Sequence, residues 1–276
     1  MIVGKYPRHA SQLADLEKAV EELVLPGFLP SAPPITEGMI VRTQGSCFAK
    51  HIYNALDAAG VKARHIPFAE GVNSPLANRY LFEYVREAGK AYAHPYHEGA
   101  FPGNHVAELR DGIPKEGVFI FTLGVSMCWF EKGGSISTVH FDSSDLENQE
   151  FRLISAAENE AALAFIVDTL RELNPDIKIV LTVSPVPLNR SLGFASAIAA
   201  DCISKSTLRV ALHNYLSKQP GNVFYWPSFE IVRWLGAHLP PVFGEDDGIL
   251  RHVNQSMVDL IAKLFLKHFV ASQPSS

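Results

Sequence analysis

The sequence predicts an α/β protein of three layers, α/β/α, on a central parallel sheet. Strand-like and helix-like segments alternate along most of the chain, the order that parallel sheets with helices on both faces require. The runs Val118–Leu123 and Ile177–Val183 are apolar with almost no polar alternation, as expected of strands covered on both faces. The helical segments between such runs carry a single apolar stripe. In Glu158–Leu173 it comprises Leu163, Ile166, Val167, Leu170 and Leu173.

Taken in order, residues 11–25 read as a helix with Leu13, Leu16, Val20, Leu23 and Val24 apolar. Proline-rich coil from Pro26 to Pro34 then wraps toward the first core strand, Met39–Thr43. A helix follows with Ala49, Ile52, Tyr53, Leu56 and Ala59 on one face and Gly60 as its stop. Val61–Pro67 is a second strand, and a turn-rich loop from Phe68 to Pro75 leads to a helix at Leu76–Ala88. Gly89–Lys115 reads as irregular and carries Tyr92, Tyr96, Phe101, His94, His97 and His105. The pair His94 and His97 lacks a third ligand on a regular element, so no metal site is expected. After Val118–Leu123, Glu131–Glu150 is read as a hairpin or polar excursion, and a second excursion follows Ser184-Pro185-Val186-Pro187 as far as Ile203. Lys205–Leu216 is a helix, Val223–Trp226 a short strand, Ser228–Leu235 a helical turn or two, and Gln255–Phe269 the last helix. The expected organisation is an N-terminal helix with its wrapping segment over 1–38, one α/β domain over 39–270, and a disordered tail over 271–276.

Composition narrows the classes of function. The chain has 276 residues, 47% hydrophobic and 19% charged, which is enough for a sizeable core. A net charge of −5 without basic runs argues against nucleic acid or an anionic membrane as partner. No stretch approaches the roughly 20 apolar residues that span a bilayer, and Met1–Ala10 lacks the apolar core of a signal peptide. Cys47, Cys128 and Cys202 are odd in number and lack metal-ligand spacing, which points to a reducing cytoplasm and no cofactor metal. No phosphate-cradling glycine loop follows a strand, so no nucleotide cofactor is expected.

The chemistry is expected where strands end. Gly45-Ser46-Cys47 stands between a strand and a helix, so its side chains project from the carboxyl edge of the sheet. Free N–H groups and the positive end of the helix dipole lie behind them. Serine also caps helices, and that is the structural reading of Ser46. A serine nucleophile needs a base. His252 is the best placed of the eleven histidines, in a polar loop before the last helix with Asp246 and Asp247 just upstream. Cys47 is the rival nucleophile, a thiol in the first turn of a helix. The N–H of Ser46 or Cys47, Gly71 with its neighbour Asn73, and Gly124 at a strand end are candidate oxyanion or substrate-binding positions.

The run Gly45-Ser46-Cys47-Phe48-Ala49 matches letter for letter the signature that names the GSCFA-domain family, a relative of the SGNH (GDSL-like) esterases and acyltransferases. Thr122-Leu123-Gly124 with Trp129, Thr182-Val183-Ser184-Pro185-Val186, the pair Ser204-Lys205, and Trp226-Pro227-Ser228-Phe229-Glu230-Ile231-Val232 resemble that family too, with Phe229 in place of a tyrosine. The resemblance covers about residues 39 to 269. It implies an SGNH-hydrolase-like fold of flavodoxin-like topology, Ser46 as nucleophile and His252 as base; Gly248 lets the loop fold Asp247 back toward the ring as its orienting acid, with Asp246 or the main-chain neighbours of His252 as the alternatives. It adds Lys205 and Glu230, as a candidate buried pair, to the pocket. Relatives place an aspartate three residues before the histidine and an asparagine after the third strand; here those positions are Ile249 and Ser126.

The expected function is therefore serine-dependent acyl transfer, an esterase or O-acyltransferase acting on a small-molecule or carbohydrate acyl ester. The resemblance suggests a bacterial setting in polysaccharide modification. The alternative is a non-catalytic module that binds a carbohydrate or nucleotide on the same scaffold, with Tyr92, Tyr96 and Trp129 as stacking platforms. Oligomeric state is not legible in the sequence.

Overall fold

The computed structural model describes residues 3–67, 73–87, 101, 103–134, 137–138, 147–191, 193–218 and 220–271. Five parallel strands form the central sheet: β1 (Val41–Gly45), β2 (Ala63–His65), β3 (Val118–Leu123), β7 (Lys178–Val183) and β8 (Val223–Tyr225). They lie in the order β2-β1-β3-β7-β8. Counted within this sheet the order is 2-1-3-4-5, the flavodoxin-like topology, whose switch point falls between β1 and β3. Gly45 pairs with Thr122 across that point.

Side chains alternate along each strand, and the alternation builds two cores. Val118, Ile120 and Val180 turn to the side of α2 (Cys47–Ala58), α7 (Gln255–Phe269) and α1 (Leu16–Leu23). Phe119, Phe121, Leu181 and Val183 turn to the side of α3 (Pro75–Arg86), α4 (Gly103–Gly112), α5 (Ala156–Leu173) and α6 (Ala197–Ser217). These are the three layers that the sequence pattern implies.

Several elements differ from expectation. The first helix is split: a 3-10 turn at Ala10–Leu13 gives way to α1, which Asp15 caps through Lys18 N at 3.1 Å. Within the stretch read as irregular, α4 forms because Val106 and Leu109 reach the core a turn apart. The polar excursion is a second, antiparallel sheet of β4 (Met127–Glu131), β5 (Ser137–Thr138) and β6 (Gln149–Leu153), in the order β5-β4-β6. Met127, Cys128 and Trp129 are therefore strand residues. Helix α6 starts eight residues before Lys205, because Ser196 caps it through Ala199 N at 3.2 Å. The turn after β8 is π-helical over Glu230–Leu235.

The N-terminal segment is pinned to α7. Glu17 and Glu21 pair with Lys263 and Lys267 of α7, and Ile35 bridges to Val270 in parallel. No described helix is long and apolar enough to cross a membrane. Residues 272–276 of the expected tail lie outside the described part.

Candidate active site at the switch point

Gly45 fixes the junction. Its φ of +121° lies in the region that disfavours side chains, and an added Cβ would stand 2.0 Å from the Thr122 carbonyl oxygen. Backbone contact this close lets Ser46 N–H donate to that oxygen at 3.0 Å and carries β1 directly into α2. The Ser46 N–H is thereby consumed and is no oxyanion donor. Ser46 occupies the N-cap position, but its hydroxyl makes no capping bond. Its Oγ is buried without a hydrogen-bond partner among the described residues, in a residue only 6% exposed. Cys47, the first helical residue, is exposed.

A cavity of about 520 Å³ opens at this point, within the range of small-molecule sites. Gly45, Ser46 and Cys47 form part of its wall, with Asn73, Gly124 and Lys205. The second sheet contributes Trp129 and Phe151, whose rings lie 4.9 Å apart at 42°. Asn73 is fixed by its carbonyl, which accepts from Gly124 N at 2.9 Å and Val125 N at 3.2 Å. Its carboxamide makes no hydrogen bond to the described residues, and Asn73 lines the cavity. Gly124 spends its own N–H on Asn73; its part is close approach, since a Cβ there would meet Asn73 Cβ at 2.7 Å.

Lys205 is buried, and its Nζ donates to the Gly124 carbonyl at 2.5 Å. Burial pushes its ammonium down to about 8, opposed by Asp201. His65 also lines the cavity; burial lowers its imidazole below the ordinary value.

His252 stands in the loop before α7. Its Nδ1 lies 2.5 Å from Asp247 Oδ2, and Asp247 is held below the usual carboxylate range chiefly by that contact. The five-residue separation closes because Gly248, at φ +75°, turns the loop back, and His252 N–H donates to Ile249 O at 2.8 Å. Asp246 points elsewhere, and its Oδ2 accepts from Gln255 N at 2.6 Å, at the start of α7. Burial lowers the imidazole of His51, one helical turn beyond Cys47 on α2, and the charges of Lys50 and His252 add to that effect. Ser46 Oγ makes no bond to the His252 ring, and the cavity wall includes Arg251 rather than His252.

Two expected site residues belong to the scaffold instead. Ser126 is fully buried; its N–H donates to Ser204 Oγ at 2.7 Å and its hydroxyl to Ile154 O at 2.8 Å, tying the second sheet to α6. Glu230 accepts from Arg209 at 2.5 Å and from the Tyr225 hydroxyl at 2.8 Å, so no Glu230–Lys205 pair forms. Gly71, Tyr92, Tyr96, His94 and His97 lie outside the described residues. Among those described, no group of three or more His, Cys, Asp or Glu residues is arranged to hold a metal. Sequence reasoning missed Lys50, His65, Arg190 and Phe151 in the wall. Lys50 follows the pentapeptide directly, and that adjacency was the available signal.

Comparison with solved structures finds resemblance at low identity. A carbohydrate esterase family 3 structure from Talaromyces cellulolyticus is 12% identical at a TM-score of 0.39, over 82% of this chain and 91% of that one. A family 2 carbohydrate esterase with a carbohydrate-binding domain, from Corynascus thermopiles (Myceliophthora fergusii), is 17% identical at 0.40, over 87% and 68%. A salicylyl-acyltransferase from a tetracycline biosynthetic pathway is 14% identical at 0.42, over 86% of this chain and 54% of that one. At these identities and scores the likeness carries no residue and no activity over to this chain. Curated protein sequences give no match. The GSCFA family profile matches residues 99–265, more than half of the chain but not the pentapeptide itself. With that span matched, the chain belongs to the GSCFA family.

Proposed function

We propose that this protein is an acyl-transfer enzyme, an esterase or O-acyltransferase, whose nucleophile stands at the β1–α2 junction. The observation that carries the reading is the cavity at the switch point, with Gly45–Cys47 in its wall and an Asp247–His252 couple on the loop beside α2. In this reading the nucleophile attacks an acyl carbonyl carbon while His252 takes its proton. The carbon–oxygen bond of the ester breaks, and His252 returns the proton to the departing alkoxide. Water or a sugar hydroxyl then takes the acyl group. The Asn73 carboxamide and the N-terminal N–H groups of α2 hold the developing oxyanion.

The sequence assigns the attack to Ser46. A specific observation favours Cys47 as a second reading: its side chain is exposed at the cavity, whereas Ser46 Oγ is enclosed. Hydrolysis of p-nitrophenyl acetate by wild type, Ser46→Ala, Cys47→Ala and His252→Ala decides both points. The expected result is a loss of about 100-fold or more in His252→Ala and in one of the two junction variants, with circular dichroism unchanged. Mass spectrometry of the acylated protein then locates the nucleophile. Equal hydrolysis by all four proteins overturns the assignment of the site.

A further inference from the structure

Among the described residues that line the cavity there is one histidine, His65, and no Asp or Glu. His65 ends β2, opposite Thr43 of β1 in the parallel register. Its Nδ1 lies 3.2 Å from the Thr43 carbonyl oxygen and 3.0 Å from Thr43 Oγ1. A carbonyl oxygen only accepts, so Nδ1 carries the proton and donates to both. The lone pair is then on Nε2, which makes no hydrogen bond to the described residues. The ring is half-buried and leans on Tyr53 of α2, with centroids 5.9 Å apart at 30°. Burial holds the imidazole below the ordinary histidine value; the Thr43 bond opposes this, and the charges of Lys50 and Arg42 add to it. The ring is therefore neutral at neutral pH. A fixed tautomer, a neutral ring and an open Nε2 on a cavity wall are the properties of a base.

We propose that His65 is the base for the second half of the reaction, taking the proton of the acceptor hydroxyl through Nε2. This rests on the acyl-transfer reading and deepens it, because proton transfer is divided between two histidines. His252 serves the nucleophile from the loop before α7, whereas an acceptor seated in the cavity meets His65. As the acceptor oxygen bonds the acyl carbon, its O–H proton passes to Nε2. The bond from that carbon to the nucleophile then breaks, and the proton goes from Nε2 to the departing nucleophile. With water the product is the free acid; with a sugar hydroxyl it is a new ester. Thr43 keeps hold of Nδ1–H throughout, so the imidazolium that forms in between keeps its orientation.

Stopped-flow kinetics with p-nitrophenyl acetate test this on the full chain and on His65→Ala and His65→Asn. The asparagine amide can still donate to Thr43 but puts no base at the Nε2 position, so it separates bracing from proton transfer. Expected in both variants is a burst of about one p-nitrophenol per chain at the wild-type rate, then turnover about 100-fold slower. The acyl adduct, followed by mass spectrometry after the ester is removed, should outlive that of wild type by the same factor, and added imidazole should shorten its life. Turnover of His65→Asn at the wild-type rate assigns His65 to bracing β2 and overturns the proposal. Burst and turnover slowed alike overturn the division of labour, because His65 then acts on the first half or on folding. An adduct lifetime that the substitutions leave unchanged, in a protein that hydrolyses the ester, overturns the role of His65 while acyl transfer stands. A wild type that neither releases p-nitrophenol nor forms an adduct overturns the acyl-transfer reading, and the role of His65 with it.

Discussion

Two buried cations, at opposite ends of the sheet, are treated in opposite ways. Arg42 enters near the amino end of β1 and is fully buried. Its guanidinium donates from Nε at 2.8 Å and Nη2 at 2.5 Å to one oxygen of Glu116, and from Nη1 at 3.0 Å to Glu108. Lys205, near the carboxyl edge, donates to the Gly124 carbonyl, and Asp201, which favours its ammonium, is shared with Arg233. The first cation meets carboxylates and braces the fold. The second meets a backbone dipole at the cavity wall, with Asp201 as the charge that favours its ammonium. Charge compensated inside the structure is a stability device, and charge at a cavity wall is within reach of a ligand.

Three measurements break or sharpen this contrast. The largest effect is expected from Glu116→Gln. Arginine cannot shed its proton, so the substitution leaves a buried guanidinium without its main counter-charge. Denaturant unfolding should show a loss of about 3–5 kcal/mol. A loss below about 1 kcal/mol would mean that Glu108 and solvent compensate Arg42 without Glu116.

Next comes the pH dependence at Lys205. Its ammonium is lowered from 10.5 to about 8, first by burial. Below about 8 both the folded and the unfolded chain hold the proton; between the two values only the unfolded chain does. The contribution of this residue to stability therefore rises with pH across that window, by about 3 kcal/mol in all. Unfolding midpoints of wild type and Lys205→Met, followed from about pH 7 to about pH 10, should diverge, with the rise absent from the variant. Parallel curves would show that Lys205 does not titrate in that window.

The smallest effect belongs to Glu108→Gln. The Glu108 side chain is 50% exposed, so water screens its bond to Arg42. A loss of under about 1 kcal/mol is expected in the same unfolding assay. A loss equal to that of Glu116→Gln would remove the distinction between the buried and the surface arm of the cluster.

Much of the fold was legible because hydrophobic burial is written locally. The apolar runs of β3 and β7 and the stripe of α5 identify a doubly covered parallel sheet. The elements misread were those whose signal is weak or displaced. Helix α4 buries few residues, α6 begins in a run rich in alanine and serine, and β4 starts where glycine and serine suggest a loop. For the candidate site, only the placement of residues can be compared. Ser46, Cys47, Asn73, Gly124 and Lys205 do share one cavity wall, and Asp247 does reach His252 around Gly248. Ser126 and Glu230 were misassigned because a polar residue at a strand end looks the same in sequence whether it faces a ligand or closes a hydrogen-bond network.

By itself the sequence determined the layers, the strand–helix junction at Gly45 and the family signature around it. Each depends on periodicity or on residues within a few positions of one another. Tertiary structure decided the rest. It enclosed Ser46 Oγ and exposed Cys47, turned Asp201 toward Arg233, and gathered Lys50, Arg190, Lys205 and Arg251 around one cavity. The sign of a cavity's charge is a sum over residues far apart in the chain. Only the folded backbone says which of them face one another and which have already met a partner.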